Sequence, residues 1–111
     1  MDNWVDLFNR EIEQGFRARQ NGSEGRARVC ARRAAGIVAA AYLDRLKIQR
    51  SHHNAITNFN LLYNYDGISA EIKEIIRRLL MRVDANYNLP EEIDLLSDAV
   101  LLKEKLFRPE Q

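Results

Sequence analysis

A proline-free stretch rich in alanine, residues 26–50, constrains the fold more than any other part of the chain. It reads RARVCARRAAGIVAAAYLDRLKIQR and contains seven alanines. Helical spacing places one set of mostly small side chains on a single face: Cys30, Ala34, Ile37, Val38, Ala41 and Leu46. Because small side chains let neighbouring backbones approach closely, the stretch predicts a helix at the centre of a bundle, in contact with several other helices.

The rest of the chain has helical periodicity, and no strand pattern competes with it. Apolar side chains recur at intervals of three and four residues in each segment. The pattern predicts a first helix over residues 3–20, a second over about 24–49, a third over 54–65, a fourth that ends near 83–84, and a last one after residue 88. The expected fold is therefore all-α, an antiparallel bundle of four or five helices.

Turn and capping residues separate these segments. Gly22 suits the C-terminal end of the first helix, and Ser23 and Ser69 are expected to be the N-caps of the second and fourth helices. Asn88 and Glu91 resemble a capping pair for the last helix. The positions of the turn and capping residues therefore agree with the helix boundaries that the periodicity predicts.

Length and composition predict one domain over residues 1–111. The chain is long enough for one hydrophobic core and too short for two, and 46% hydrophobic with 30% charged residues is a balance that argues against disorder. No apolar run approaches the roughly 20 residues that a membrane span needs, and MDNWVDLF lacks the features of a signal peptide. The single cysteine cannot form an internal disulfide, so we expect a cytoplasmic protein. Because no apolar run is long enough, we also expect that it does not associate with a membrane.

Two side-chain types that often carry chemistry are expected to have structural roles in this chain. Cys30 lies on the apolar face of the central helix and is expected to pack as a small hydrophobic residue. His52 and His53 are adjacent, and this spacing directs two rings poorly towards one metal ion, so we expect a solvated turn. The sequence predicts no metal site and no cofactor.

Arginine is concentrated in the first half of the chain. Residues 1–50 carry ten Lys or Arg and six Asp or Glu, whereas residues 51–111 carry seven and ten. Six arginines occur between positions 17 and 33, where Glu24 is the only acid, and Arg26 and Arg33 share a helix face. Guanidinium groups suit phosphate, so an anion site is one interpretation, and ion pairs with neighbouring helices are the other.

A second candidate site lies at the expected end of the fourth helix, where residues 82–87 read RVDANY. Arg82 leaves the helix into a polar connection and could bind a ligand. It could equally pair with Asp84 or cap a carbonyl group. The residues alone are compatible with all three roles.

The whole arrangement resembles the HEPN superfamily (higher eukaryotes and prokaryotes nucleotide-binding), in particular its small stand-alone prokaryotic members. The resemblance rests on the break NGSEG at residues 21–25, the alanine-rich helix that follows, and LLMRVDANYNLPEEIDLLSDAVLLKEKL, and it covers nearly the full length. It implies a HEPN-like bundle that forms a homodimer. It also implies a partner, because such proteins are often paired with a small nucleotidyltransferase in toxin–antitoxin-like operons.

The same resemblance bears on catalysis. Ribonuclease members of the family carry Arg, four to six residues and then His around the end of the penultimate helix, and two subunits form a composite site. Arg82 matches the Arg, but Tyr87 stands where the His is expected, beside Asn86, and no His follows in the chain. The loss of the imidazole removes the obvious general acid or base near neutral pH.

The resemblance therefore implies a non-catalytic module that binds a nucleotide or RNA phosphate near Arg82, Asn86 and Tyr87, with Arg26 and Arg33 extending the site. One alternative is a degenerate, metal-independent endoribonuclease that uses Arg82 with Tyr87, or Arg45 with His52. Another is a purely structural interaction protein without a small ligand.

Overall fold

The computed structural model describes residues 3–81, 89–90 and 92–108. These residues form five helices: α1 (Trp4–Gln20), α2 (Glu24–Arg45), α3 (Ala55–Tyr63), α4 (Ala70–Leu79) and α5 (Leu95–Leu106). No strand occurs in this part of the chain, so the predicted all-α class is confirmed. None of its helices is long and apolar enough to cross a lipid bilayer.

α2 is the central helix that the sequence predicts, because it packs against α1, α3 and α5. Its buried residues are mostly small: Ala27, Cys30, Ala31, Ala34, Ala35, Gly36, Val38, Ala39 and Leu43. This set extends around the helix beyond the single predicted face, on which Ile37, Ala41 and Leu46 are only partly buried. The helix has neighbours on several sides, so its small residues cover a wide surface rather than one stripe.

The buried apolar side chains of all five helices form one continuous core. α4 and α5 contribute most of the large members, including Ile75, Ile76 and Leu102. One charged pair joins these two helices: the Arg78 guanidinium donates to the Asp98 carboxylate, with Nη2 2.9 Å from Oδ1 and Nε 3.0 Å from Oδ2. Asp98 is only 6% exposed, so this ion pair lies at the edge of the core.

The end of α1 has the form that Gly22 predicts. Gly22 has a φ of +78°, and its N–H donates to the Arg19 carbonyl at 3.0 Å. The Ser23 N–H donates to the Ala18 carbonyl at 2.8 Å. These two bonds define a Schellman motif, which satisfies carbonyl groups left open at a helix C-terminus.

α2 ends with the same motif and stops four residues before its predicted end. Lys47 takes the left-handed position with a φ of +61°, and its N–H donates to the Asp44 carbonyl at 3.0 Å. The Ile48 N–H donates to the Leu43 carbonyl at 2.9 Å, and Ile48 packs against the core. The contact of partly buried Ile48 with the core favours an early turn, although lysine lacks the conformational freedom of glycine there.

α4 also ends earlier than predicted, at Leu79 rather than near residues 83–84. Arg32 of α2 donates from Nε to the Leu79 carbonyl at 3.1 Å and from Nη2 to the Met81 carbonyl at 2.7 Å. The side chain therefore satisfies carbonyl groups that a longer helix would use for its own hydrogen bonds. At the other end of α4, Ser69 is the predicted cap and accepts from the Ile72 N–H at 3.2 Å.

α5 begins at Leu95, later than predicted. Asp94 is its N-cap: Oδ1 accepts from the Ser97 N–H at 3.3 Å, and Oδ2 accepts from the Ser97 hydroxyl at 3.0 Å. The expected capping pair of Asn88 and Glu91 lies outside the described residues. Pro90 thus precedes the helix.

Candidate anion-binding site

The predicted site residues divide into two groups. Arg82, Asn86 and Tyr87 lie outside the described residues, so their role stays a prediction. Arg26 and Arg33 lie on α2, and both are exposed. Because they are seven residues apart, they project from the same side of the helix, about 10 Å from each other along its axis.

Arg17 of α1 joins this pair. A cavity of 310 Å³ lies where α1 meets α2, and the residues that line it are Gln14, Arg17, Ala18, Asn21, Ser23 and Arg26. We call the side of the α1–α2 pair that carries Arg17, Arg26 and Arg33 the arginine face. It brings three guanidinium groups from two helices to one side of the molecule.

None of these three arginines has an ion-pair or hydrogen-bond partner among the described residues. Arg19 differs, because it donates to Glu24 at 2.9 Å and to Asp94 at 3.1 Å. Hydrogen bonds to Glu24 and Asp94 raise the pKa of Arg19 further above its already high ordinary value. The predicted ion pairs are therefore present at Arg19, whereas an anion site at the other arginines stays a prediction.

The N-terminal end of α2 lies beside the same cavity. Ser23 occupies the predicted N-cap position, but its side chain makes no capping hydrogen bond. A helix N-terminus carries a partial positive charge, which an uncapped 22-residue helix adds to the charge of Arg17 and Arg26. Glu24 lies in the first turn of α2, where it binds Arg19, so its carboxylate offsets part of the positive charge at this helix end.

A second concave region adjoins Arg33 at the other end of this face. It encloses 340 Å³, and its lining comes from α1, α2, the α2–α3 connection and α3: Glu11, Arg33, Gly36, Ile37, Ala40, Arg50, Ser51, His52, His53, Asn54, Ala55 and Asn58. We call this region the histidine cleft. Arg33 belongs to both the arginine face and the histidine cleft, so the two regions are adjacent.

The connection that carries the two histidines is held by an internal hydrogen-bond network. Asn58 is only 4% exposed; its Oδ1 accepts from the Ser51 N–H and its Nδ2 donates to the Ser51 carbonyl, both at 2.8 Å. The Ser51 hydroxyl oxygen accepts from the N–H groups of His53 at 3.3 Å and Asn54 at 3.0 Å. The predicted turn is present, and it is ordered by side chains at both of its ends.

The histidine cleft contains both signs of charge. His52 and His53 are exposed, and their ring centroids are 6.5 Å apart. Arg50 donates from Nε to Asp44 Oδ1 at 2.9 Å, so its charge is partly compensated. Glu11 Oε2 is shielded from solvent and has no hydrogen-bond partner among the described residues.

The structure separates the two residues of one predicted catalytic pair. The Arg45 guanidinium lies over the Phe107 ring, 5.9 Å from its centroid, and Arg45 does not line the histidine cleft. His52 does line the cleft, together with Arg33 and Arg50. Any chemistry of His52 would therefore involve these two arginines rather than Arg45.

Cys30 is buried in the seam between α1 and α2, as predicted. Burial raises the pKa of its thiol, and the nearby Glu11 carboxylate adds to the effect. A thiol is nucleophilic only as the thiolate, so this environment suppresses reactivity. Within the described residues, no three His, Cys, Asp or Glu side chains converge in a way that could hold a metal ion.

Comparison of the chain with protein-family models, with curated proteins and with solved structures found no match. The site is therefore characterised by its own geometry. Sequence reasoning identified Arg26 and Arg33 but missed the histidine cleft, because Glu11, Arg33 and Asn58 reach it from three different helices. The only local signal was the polar spacing of Ser51, Asn54 and Asn58 around the two histidines.

Proposed function

We propose that this protein is a non-catalytic binding module that holds phosphate groups of a nucleotide or of RNA on its arginine face. The observation that carries the proposal is the set of three exposed arginines, Arg17, Arg26 and Arg33, without a carboxylate partner in the described part of the chain. Arg19, Arg50, Arg77 and Arg78 all bind carboxylates. Unpaired guanidinium groups from two adjacent helices suit a ligand that presents several negative charges in succession.

The proposal includes the finer features that the HEPN resemblance implies. These are an antiparallel HEPN-like arrangement of the five helices, a homodimer, and a small nucleotidyltransferase as partner in a toxin–antitoxin-like pair. Arg82, Asn86 and Tyr87 belong to the proposed site as its second part. Light scattering tests the dimer, and a monomer at tens of micromolar protein would contradict this feature without affecting the arginine face.

A binding assay with RNA tests the central claim. Fluorescence anisotropy with a labelled single-stranded RNA should show binding that weakens as salt is raised. The double substitution Arg26→Ala, Arg33→Ala should weaken binding on the order of tenfold at moderate salt and reduce the salt slope by about 0.7 for each phosphate that the variant no longer neutralises. Arg77→Ala is the matched control, since Arg77 is exposed but paired with Glu74.

Two results would overturn the proposal. The first is RNA binding by the double variant with the affinity and salt slope of the wild type. The second is the absence of any salt-dependent binding of RNA or mononucleotide to the wild type, which would favour a purely structural interaction protein. Measurement at several salt concentrations is essential, because a single affinity cannot separate the electrostatic effect of phosphate binding from other contributions.

A degenerate endoribonuclease is the second candidate, and one observation favours it. The histidine cleft places His52 and His53 beside Arg33, which supplies an imidazole for proton transfer and a cation for a phosphate in one concave region. Denaturing gels of labelled RNA incubated with chelator test this candidate. Cleavage of the RNA by the wild type, and its loss in His52→Gln or Arg33→Ala, would show that the protein is a nuclease rather than a binding module.

A further inference from the structure

Side-chain hydrogen bonds hold the backbone of the connection that carries the two histidines of the cleft. Buried Asn58 uses both ends of its amide to hold the Ser51 backbone, and the Ser51 hydroxyl fixes the two following N–H groups that approach it. A buried amide is costly unless its hydrogen bonds are made, and here they are made to one short connection. These bonds hold the backbone that carries His52 and His53 at the rim of a concave region.

The size of the cleft and the spacing of its rings suit one small anionic group. Its volume of 340 Å³ is at the lower end of the range of small-molecule sites. The ring centroids of His52 and His53 are 6.5 Å apart, which is close enough for both imidazoles to reach oxygens of a single phosphate. Arg33 supplies a permanent positive charge in the same region.

The two histidines stand among charged groups of both signs. These groups are Glu11 from α1, Arg33 from α2, and Arg50 from the connection itself, with Asp44 of α2 bound to Arg50; α3 lines the cleft with uncharged residues only. The two arginines are matched in number by two carboxylates. The two imidazoles add ring nitrogens that can donate to an anion beside Arg33.

We infer that the histidine cleft binds a phosphomonoester, such as the terminal phosphate of a mononucleotide or of an RNA end, in preference to a phosphodiester. The inference deepens the proposed function and rests on it through Arg33, which the two regions share. A phosphomonoester carries between one and two charges and three free oxygens, with its second ionisation near pH 6. Three free oxygens accept from two imidazoles and a guanidinium at once, which the two free oxygens of a phosphodiester do less well.

The two kinds of phosphate distinguish this site from the arginine face. A terminal phosphate offers three free oxygens and up to two negative charges, whereas the phosphodiester of the RNA backbone offers two free oxygens and one charge. A preference for the terminal phosphate therefore separates its recognition from recognition of the RNA backbone.

Isothermal titration calorimetry with a 5′-mononucleotide and with the corresponding dinucleoside monophosphate tests the inference on the full chain. We expect the mononucleotide to bind about tenfold more tightly than the dinucleoside monophosphate. The double substitution His52→Gln, His53→Gln should remove most of this preference, and Glu11→Gln should raise the affinity for the mononucleotide because it removes an opposing charge. The exposed histidine substitutions should leave the circular dichroism spectrum unchanged.

Arg26→Ala separates this inference from the proposed function, since Arg26 lines the other cavity and not the histidine cleft. It should weaken RNA binding while it preserves the affinity for the mononucleotide. Equal affinities of the wild type for the two ligands, or an unchanged preference in the double histidine variant, would overturn the inference even if the arginine face binds RNA.

Discussion

The ion pair between Arg78 and Asp98 allows a quantitative prediction about stability. The Asp98 side chain is 9% exposed and that of Arg78 25%, and two guanidinium nitrogens bind the carboxylate at 2.9–3.2 Å. These hydrogen bonds raise the pKa of Arg78 above its ordinary value, so the guanidinium stays charged at any pH used in an unfolding experiment. The pair joins α4 to α5 at the edge of the core.

Substitution of Arg78 by Met should be strongly destabilising. It removes the cation but leaves the Asp98 carboxylate largely buried, and breaking a buried pair in this way costs about 3–5 kcal/mol. Because a quarter of the Arg78 side chain is exposed, water can partly replace the guanidinium, and we expect about 3 kcal/mol. For a domain of this size the melting temperature should fall by about 12 °C.

Urea unfolding of a double-mutant cycle gives the decisive measurement. The double variant Arg78→Met, Asp98→Leu replaces both charges by apolar groups and should recover most of the lost free energy of unfolding, since an apolar pair often substitutes for a buried ion pair. Arg77→Met is the matched control one residue away. Its partner Glu74 lies on the exposed side of α4, so no clear change in stability is expected.

Either of two outcomes would refute this reasoning. One is a cost for Arg78→Met below about 1 kcal/mol, which would mean that water solvates the carboxylate as well as the guanidinium does. The other is strict additivity of the two single substitutions, which would mean that Asp98 does not depend on Arg78.

Two further predictions concern one buried and one partly buried residue of α2. Native Cys30 should react slowly with a thiol reagent at pH 8, because burial raises the pKa of the thiol. It should react quickly once denaturant is added. Rapid labelling without denaturant would contradict its buried position. Arg32→Met should lower the free energy of unfolding by about 1–3 kcal/mol, because two carbonyl oxygens at the end of α4 lose their donors. Arg32→Lys should recover only part of this loss, since an ammonium group lacks the geometry of the guanidinium fork; full recovery in urea unfolding would argue against the paired hydrogen bonds.

The helix ends show what local sequence can and cannot predict. α1 and α2 end with the same hydrogen-bond motif. Gly22 predicts the end of α1, whereas Lys47, which gives no such signal, occupies the equivalent position at the end of α2. The early end of α2 accompanies the packing of partly buried Ile48 against the core, and the early end of α4 accompanies hydrogen bonds from Arg32 on another helix. Periodicity was therefore sufficient to predict all five helices, while several boundaries depended on tertiary contacts.

The same distinction applies to the candidate site. Spacing on one helix was enough to place Arg26 and Arg33 on a common side, because a seven-residue interval fixes their direction. The adjacency of His52 and His53 predicted only a solvated turn. Their convergence with Arg33 depends on how α1, α2 and α3 meet, and no pattern within one segment carries that information.

The small residues of α2 determine which substitutions the core can accept. Ala31, Ala34, Ala35 and Ala39 have no exposed surface, and neighbouring helices pack directly over them. In most cores the damaging changes are those that remove atoms and leave a void, but an alanine has almost nothing to remove. In α2 the damaging changes should be enlargements, since even one added isopropyl group would have to push a whole helix aside.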